Sequence, residues 1–452
     1  MDSTTVTRRR VLGALGASAT LAVAGCVGDG DDDADAEGTF TIGILQDFSG
    51  PLDLYGQQGT AGFYSGLAYK ADDDPLPADA VDEGDYEYQV GDIELELLAR
   101  DTQFDGGQAQ SLAEELAAEE EVDLLYGVGN SSGAIRVINQ VVDPAEIPFI
   151  AGPAAAAEIT AESETCRELV FRANENTAMD ARSGGVYVAE QTDIDQMALF
   201  GSDDDFGQSV IENYREVLEE RGVEIVYDRS VPSGYDEWAG LLDEAQDAGA
   251  EGMVGGFTAA TLPQFGTAFL TGDYDMQLFG GFASRVTLSP VGGILADLLE
   301  EDFTNEVLAE SGFGPFTTRY HWNQYDNAIN EQFVESHTDT YGVVPDLFTG
   351  GAFTAASAVI QALEEQGEVS SDAIVEGMRG MTVADTPKGE DGYTFQEYNN
   401  QARSAMTVAP VEVTPEDEEG TWPAPIMPGD PIETVSADEV TIPAEDMTCD
   451  LS

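Results

Sequence analysis

From Thr39 onward, short apolar runs alternate with longer stretches in which apolar residues recur every three or four positions. The short runs predict strands over 40–45, 93–99, 122–126 and 148–151, and the longer ones predict helices over 56–70, 107–119 and 132–142. A second series predicts helix 177–191, strand 197–200, helix 208–221, strand 223–227, helix 236–248, strand 252–256, helix 262–270 and strand 277–280. Parallel strands need a long crossover to return to the same end of a sheet, so strands separated by roughly 10–15-residue helices predict βαβ units. Two consecutive sets predict an α/β fold of two similar lobes, each a parallel sheet flanked by helices. After Gly312 the pattern loosens into helices over 325–341, 352–366 and 372–379 and strands over 393–398 and 405–413. Residues 414–452 are rich in Pro, Asp and Glu with little periodicity, and predict a mostly irregular tail.

Ahead of this pattern, Arg8-Arg9-Arg10 precedes an apolar, Ala/Gly-rich run of about 15 residues that ends at Gly25-Cys26. The run is short for a membrane span, which needs roughly 20 residues. A charged start, a short apolar core and a small-residue stop read as an export signal over 1–25. The paired arginines point to the twin-arginine route. Small residues before Cys26 resemble a lipobox, where cleavage leaves Cys26 as a lipid-modified N-terminus anchored to the membrane. Residues 26–38 read as a flexible acidic linker. No later stretch reaches 18 uninterrupted apolar residues.

Charge narrows the partners. The chain carries 88 acidic and 17 basic residues, for a net charge of −71, and Lys70 and Lys388 are its only lysines. Nucleic acid is excluded as a partner because binding it needs a basic surface. The acids are spread over nearly every helical stretch, a balance that resembles haloarchaeal proteins. In about 1 M salt the screening length falls to roughly 3 Å and such self-repulsion becomes tolerable. Besides Cys26 there are two cysteines, Cys166 and Cys449, which form either one disulfide holding the tail to the body or two buried thiols. With two histidines, His321 and His337, and no close Cys/His spacing, no metal site is expected.

No phosphate loop, nucleophile elbow, HExxH or CxxC motif occurs, so neither catalytic residues nor a cofactor are expected. Asp203-Asp204-Asp205 reads as an acidic cap on the following helix. Three turns after strands suit ligand binding, because open α/β sheets hold ligands at the carboxyl ends of their strands. They are Phe48-Ser49-Gly50-Pro51 with Tyr55-Gly56, then Gly127-Val128-Gly129-Asn130-Ser131-Ser132-Gly133, then Ala151-Gly152-Pro153-Ala154-Ala155-Ala156.

Ile42-Gly43-Ile44-Leu45 leading into those first residues resembles the start of the branched-chain amino acid type of ABC transporter substrate-binding proteins. Gly127–Ser132, Glu158-Ile159-Thr160, Val170-Phe171-Arg172 and Asp205-Phe206-Gly207 resemble further segments of that family, in its order, over about 39–413. The resemblance implies a type I periplasmic-binding-protein fold with three crossovers. Lobe 1 would span 39–172 plus about 318–400, and lobe 2 would span 173–317 plus about 401–413. It also implies a monomer that traps a small solute between the lobes and delivers it to ABC permease subunits, with a chemotaxis transducer as the alternative recipient.

Carried over by position, Asn130, Ser131, Ser132, Pro153, Ala154 and Ala155 would hold the ligand's carboxylate end. Tyr55 and Phe206 would flank its side chain, Phe257 would line the second wall, and Phe282 would face its amino group. Phe282 stands where the family's amino acid binders carry an acid. A buried ammonium without a partner costs several kcal/mol, so this departure widens the expected ligands to amides and short carboxylates. An offset of a residue or two would put Ser284 or Asp203 in that role.

Overall fold

The first strand, Gly38–Gln46, alternates residues between two faces, and both faces are buried. Phe40, Ile42 and Ile44 join one apolar cluster with Phe63, Tyr64 and Leu67 of the helix Asp53–Ala71 and with the helix Phe348–Gln366. Leu45 points the other way, into a cluster with the helices Gly106–Ala118 and Ser131–Val137. A strand flanked by helices on both sides is the expected environment of a parallel sheet. The sheet has six strands in the order 84–90, 93–101, 38–46, 124–127, 149–151, 170–171, parallel except for the antiparallel edge at Gly84–Val90. The second sheet is wholly parallel, in the order 277–279, 252–256, 196–202, 224–231. Each sheet with its helices forms one lobe.

This computed structural model describes residues 36–50, 52–281 and 284–451, which belong to one compact unit. The export signal, Cys26, most of the linker, Pro51 and Phe282 lie outside the described residues. No helix among the described residues is long and apolar enough to cross a membrane.

The chain joins the lobes through polar, buried connections. Arg172 donates from Nε to Gln401 Oε1 at 2.6 Å and from Nη1 to Ala156 O at 2.6 Å. Lys388 pairs with Glu175 at 2.7 Å, and Arg319 meets Asp180 through two hydrogen bonds of 3.0 and 2.6 Å. Removing a charge from water is costly unless it is paired or richly hydrogen-bonded; Lys388 and Arg319 each meet a carboxylate, and Arg172 donates to Gln401, Ala156 O and Thr160 Oγ1. A three-stranded antiparallel sheet of Phe316–Thr318, Met406–Ala409 and Glu433–Val435 stands beside these connections.

Three parts of the fold differ from the sequence pattern. The edge strand Gly84–Val90 alternates half-buried Tyr86 and Tyr88, packed on the lobe 1 core, with exposed Asp85 and Glu87. The helix Arg285–Leu299 contains Pro290 and Gly292-Gly293, residues that signal a break, yet Val286, Leu288, Val291 and Leu295 bury one face of it. The tail, expected to be irregular, carries the strands Ile426–Pro428 and Glu433–Val435 and a short helix, Ala437–Val440. It is held by long-range contacts that no local periodicity reports. Trp422 is fully buried in the lobe 2 core and donates to Ile426 O at 2.8 Å. Cys449 is disulfide-bonded to Cys166, 283 residues earlier.

Candidate functional site

Where the two lobes face each other they enclose a cleft of about 270 Å³ at the carboxyl ends of both parallel sheets. Its lobe 1 side is built on Asp47, the buried residue after the first strand. Asp47 Oδ1 accepts from Phe104 N at 2.8 Å and from Thr102 Oγ1. Burial pushes this carboxyl up to about 6, against the opposing pull of those two hydrogen bonds. The surrounding backbone is tight enough to require glycine twice. A Cβ on Gly56 would stand 2.2 Å from Asp47 O, and one on Gly129 would stand 1.9 Å from Asp47 Oδ2. Two glycines of the sequence motifs therefore let a helix start close on the Asp47 backbone and a strand–helix turn close on its carboxylate.

On this base the predicted turn residues take defined places. Asn130 caps its helix by accepting from Gly133 N at 2.5 Å, while its Nδ2 donates to Phe104 O at 2.7 Å. Ser131 Oγ is buried and accepts from Ala155 N at 3.3 Å and Ala156 N at 3.1 Å, locking the second turn onto the third. Ser132 reaches across the cleft and donates from Oγ to Asp205 Oδ2. Tyr55, in the first turn of its helix, accepts at its hydroxyl from Ala259 N of lobe 2 at 3.1 Å. Burial raises the Tyr55 phenol to about 12, so it stays protonated at any physiological pH.

Tyr55, Asn130, Ser131, Ser132, Pro153, Ala155 and Phe206 all line this cleft. Two other expected residues do not. Ala154 is fully buried in the lobe 1 core, and its N donates to Val128 O at 3.2 Å. Phe257 turns into the aromatic core of lobe 2, with ring centroids 4.9 Å from Trp238 and 5.1 Å from Phe265. The next residue, Thr258, faces the cleft instead, because successive side chains leave an extended segment in opposite directions. Neither Ser284 nor Asp203, the residues an offset would bring in, lines this cleft. Ser284 is buried as the cap of the helix Arg285–Leu299, and Asp203 is exposed beyond the strand Gln196–Ser202.

The structure adds Phe104, Asp105, Asp204, Thr258 and Phe348 to the wall. Asp105 and Asp204 cap helices, accepting from Gln108 N at 2.7 Å and Gly207 N at 2.9 Å, so their positions were legible as caps but not as cleft residues. Phe348 meets Tyr55 edge-on at 5.5 Å from a distant part of the chain, and nothing local signals it. Among the described residues, no cluster of His, Cys, Asp and Glu is arranged to hold a metal ion.

A cleft between two parallel-sheet lobes, bridged by the contacts Ser132–Asp205 and Tyr55–Ala259, is the architecture of a two-lobed solute binder. The periplasmic binding protein family model matches residues 39–419, and the chain belongs to that family. A Leu/Ile/Val-binding protein homolog 7 from Brucella abortus is 24% identical over 384 residues, covering 82% of this chain and 89% of its own. Among solved structures, the Leu-, Ile-, Val-, Thr- and Ala-binding protein of Brucella ovis in its closed conformation matches with a TM-score of 0.70 and 16% identity, covering 90% of this chain and 97% of its own. A Rhodopseudomonas palustris solute-binding protein in complex with 4-hydroxybenzoate matches with a TM-score of 0.68 and 18% identity, covering 88% of this chain and 97% of its own. These likenesses show the fold, and the protein is a binding protein rather than an enzyme.

Proposed function

We propose that this protein is the extracytoplasmic solute-binding component of an ABC importer, tethered by a lipid at Cys26 after export by the twin-arginine route. Its ligand is a branched-chain amino acid or a related small polar organic solute, held in the cleft between the lobes. The observation that carries this reading is the wall itself. Ser131, Ala155 and Tyr55 from one lobe face Phe206 and Thr258 from the other across about 270 Å³. A solute touching both walls stabilises the closed form over the open one, and that population shift is what a permease can sense. The Leu/Ile/Val-type Brucella relatives support an amino acid, and the 4-hydroxybenzoate complex of the Rhodopseudomonas neighbour supports an aromatic acid.

A thermal-shift screen in concentrated salt tests the reading with amino acids, amides, short carboxylates and aromatic acids. A ligand at 100 times its dissociation constant adds ~2.7 kcal/mol of stability, which is readily seen as a raised midpoint. No shift with any member overturns the reading. The tether has its own test. Cys26→Ala should release the protein from the membrane fraction into the medium, and retention on the membrane would count against the lipid anchor.

A further inference from the structure

Acidic residues cover this chain, so two in a binding wall mean little by number. Their company carries the inference. Asp105 and Asp204 line the cleft from opposite lobes, and each carboxylate uses Oδ1 for capping, accepting from Gln108 N and from Gly207 N and Ser202 Oγ. Beside them stand four aromatic rings, those of Tyr55, Phe104, Phe206 and Phe348. The Tyr55 ring lies 6.2 Å from Phe104 at 50° and 5.5 Å from Phe348 at 88°, so the rings turn differently inclined surfaces around one space. Among the described residues, the wall holds no Lys, Arg or His. The guanidinium of Arg319 lies 5.9 Å from the centroid of the Phe348 ring and is committed to Asp180 through two hydrogen bonds. A further, independent sign of a missing partner is Thr258 Oγ1, which lines the cleft, is buried, and has no hydrogen-bond partner among the described residues.

We infer that the cleft selects solutes bearing a positively charged nitrogen, an ammonium or quaternary ammonium head. This rests on the reading of the cleft as the ligand site. The head sits between the carboxylates of Asp105 and Asp204, with the aromatic faces supplying cation–π contact and Thr258 Oγ1 meeting a polar group of the ligand. An organic anion entering the same space meets two carboxylates within a chain of net charge −71. The two acids stand on different lobes, so a cation between them draws the walls together.

Isothermal calorimetry on the exported protein, at fixed high ionic strength, tests this with matched pairs. The pairs are choline against its neutral isostere 3,3-dimethyl-1-butanol, and leucine against 4-methylpentanoate, which lacks the ammonium; 4-hydroxybenzoate is run alongside. The expected result is binding of at least one cationic member, with its uncharged or anionic twin at least tenfold weaker. Asp204→Asn and Asp105→Asn retain a capping side chain, and each should weaken the cation about tenfold without moving the ligand-free thermal midpoint. Equal or tighter binding of the isosteres or of 4-hydroxybenzoate overturns the charge selection and leaves the cleft reading standing. Silence from every probe overturns the charge selection, and the wider thermal-shift screen then decides whether the cleft reading falls with it. Undiminished cation binding in the double Asp→Asn variant removes these two residues from the site.

Discussion

The two walls of the cleft are made differently. Lobe 1 presents turns whose backbone is fixed from beneath: Asp47 anchors the Phe104 backbone, Asn130 ties its own helix start to Phe104 O, and Ser131 clamps Ala155 and Ala156. Lobe 2 presents Asp204, Phe206 and Thr258 in front of an aromatic core of Phe200, Trp238, Phe257 and Phe265. A second, apolar cavity of about 60 Å³ lies within that core, reached by Phe206 and Phe257. Hydrogen-bonded turns fix direction and so orient polar groups, whereas packed rings set shape and can be re-packed by substitution. The difference teaches that one wall is positioned by polar geometry and the other by apolar volume.

The largest test of this contrast is Phe257→Ala. Removing a buried ring between Trp238 and Phe265 should cost ~3–5 kcal/mol, read by chemical denaturation, while affinity for the screened ligand changes by only a few-fold. A large affinity loss at unchanged stability would instead place Phe257 on the wall. Next comes the support under lobe 1. Asp47 is raised from 3.8 to about 6 in the fold, so the native state binds the extra proton. Its contribution is fully present below about pH 4 and is lost as pH rises through 6, a span worth about 3 kcal/mol. Asp47→Asn should flatten that part of the stability–pH profile relative to the unsubstituted protein. An unaltered profile would mean that Asp47 does not titrate there.

Ser131→Ala leaves the Ala155 and Ala156 N–H groups without their acceptor, at ~1–3 kcal/mol for such buried donors. Because that change loosens a polar turn, calorimetry should show weaker ligand binding as well as a lower midpoint. Equal binding would show that the third turn holds its place without the clamp. Smallest is Tyr55→Phe, which deletes the hydroxyl that accepts from Ala259 N across the cleft. A loss of ~0.5–1.5 kcal/mol is expected, seen as up to about tenfold in affinity with little change in the ligand-free protein. Unchanged affinity would make the cross-lobe bond incidental to closure.

Much of the lobe 1 wall was legible because it is made of consecutive residues. Tyr55-Gly56 and Asn130-Ser131-Ser132 sit at strand–helix junctions, where small residues and caps announce a turn. The lobe 2 wall was less legible. Thr258 rather than Phe257 faces the cleft because of side-chain alternation at the end of one strand, and a one-residue difference reverses the assignment. Helix Arg285–Leu299 was hidden by Pro290 and its glycines, which local rules treat as breaks and tertiary burial overrides.

By itself, the sequence determined two βαβ series, the glycine- and serine-rich turns, the absence of familiar catalytic motifs and the extreme acidity, since each is written in neighbouring residues. Tertiary structure decided the rest. It set Phe348 against Tyr55, drew Asp105 and Asp204 to opposite sides of one cleft, and packed Trp422 into lobe 2. Such pairings depend on how the lobes and the tail close on one another, and contacts between residues hundreds of positions apart leave no local periodicity to read.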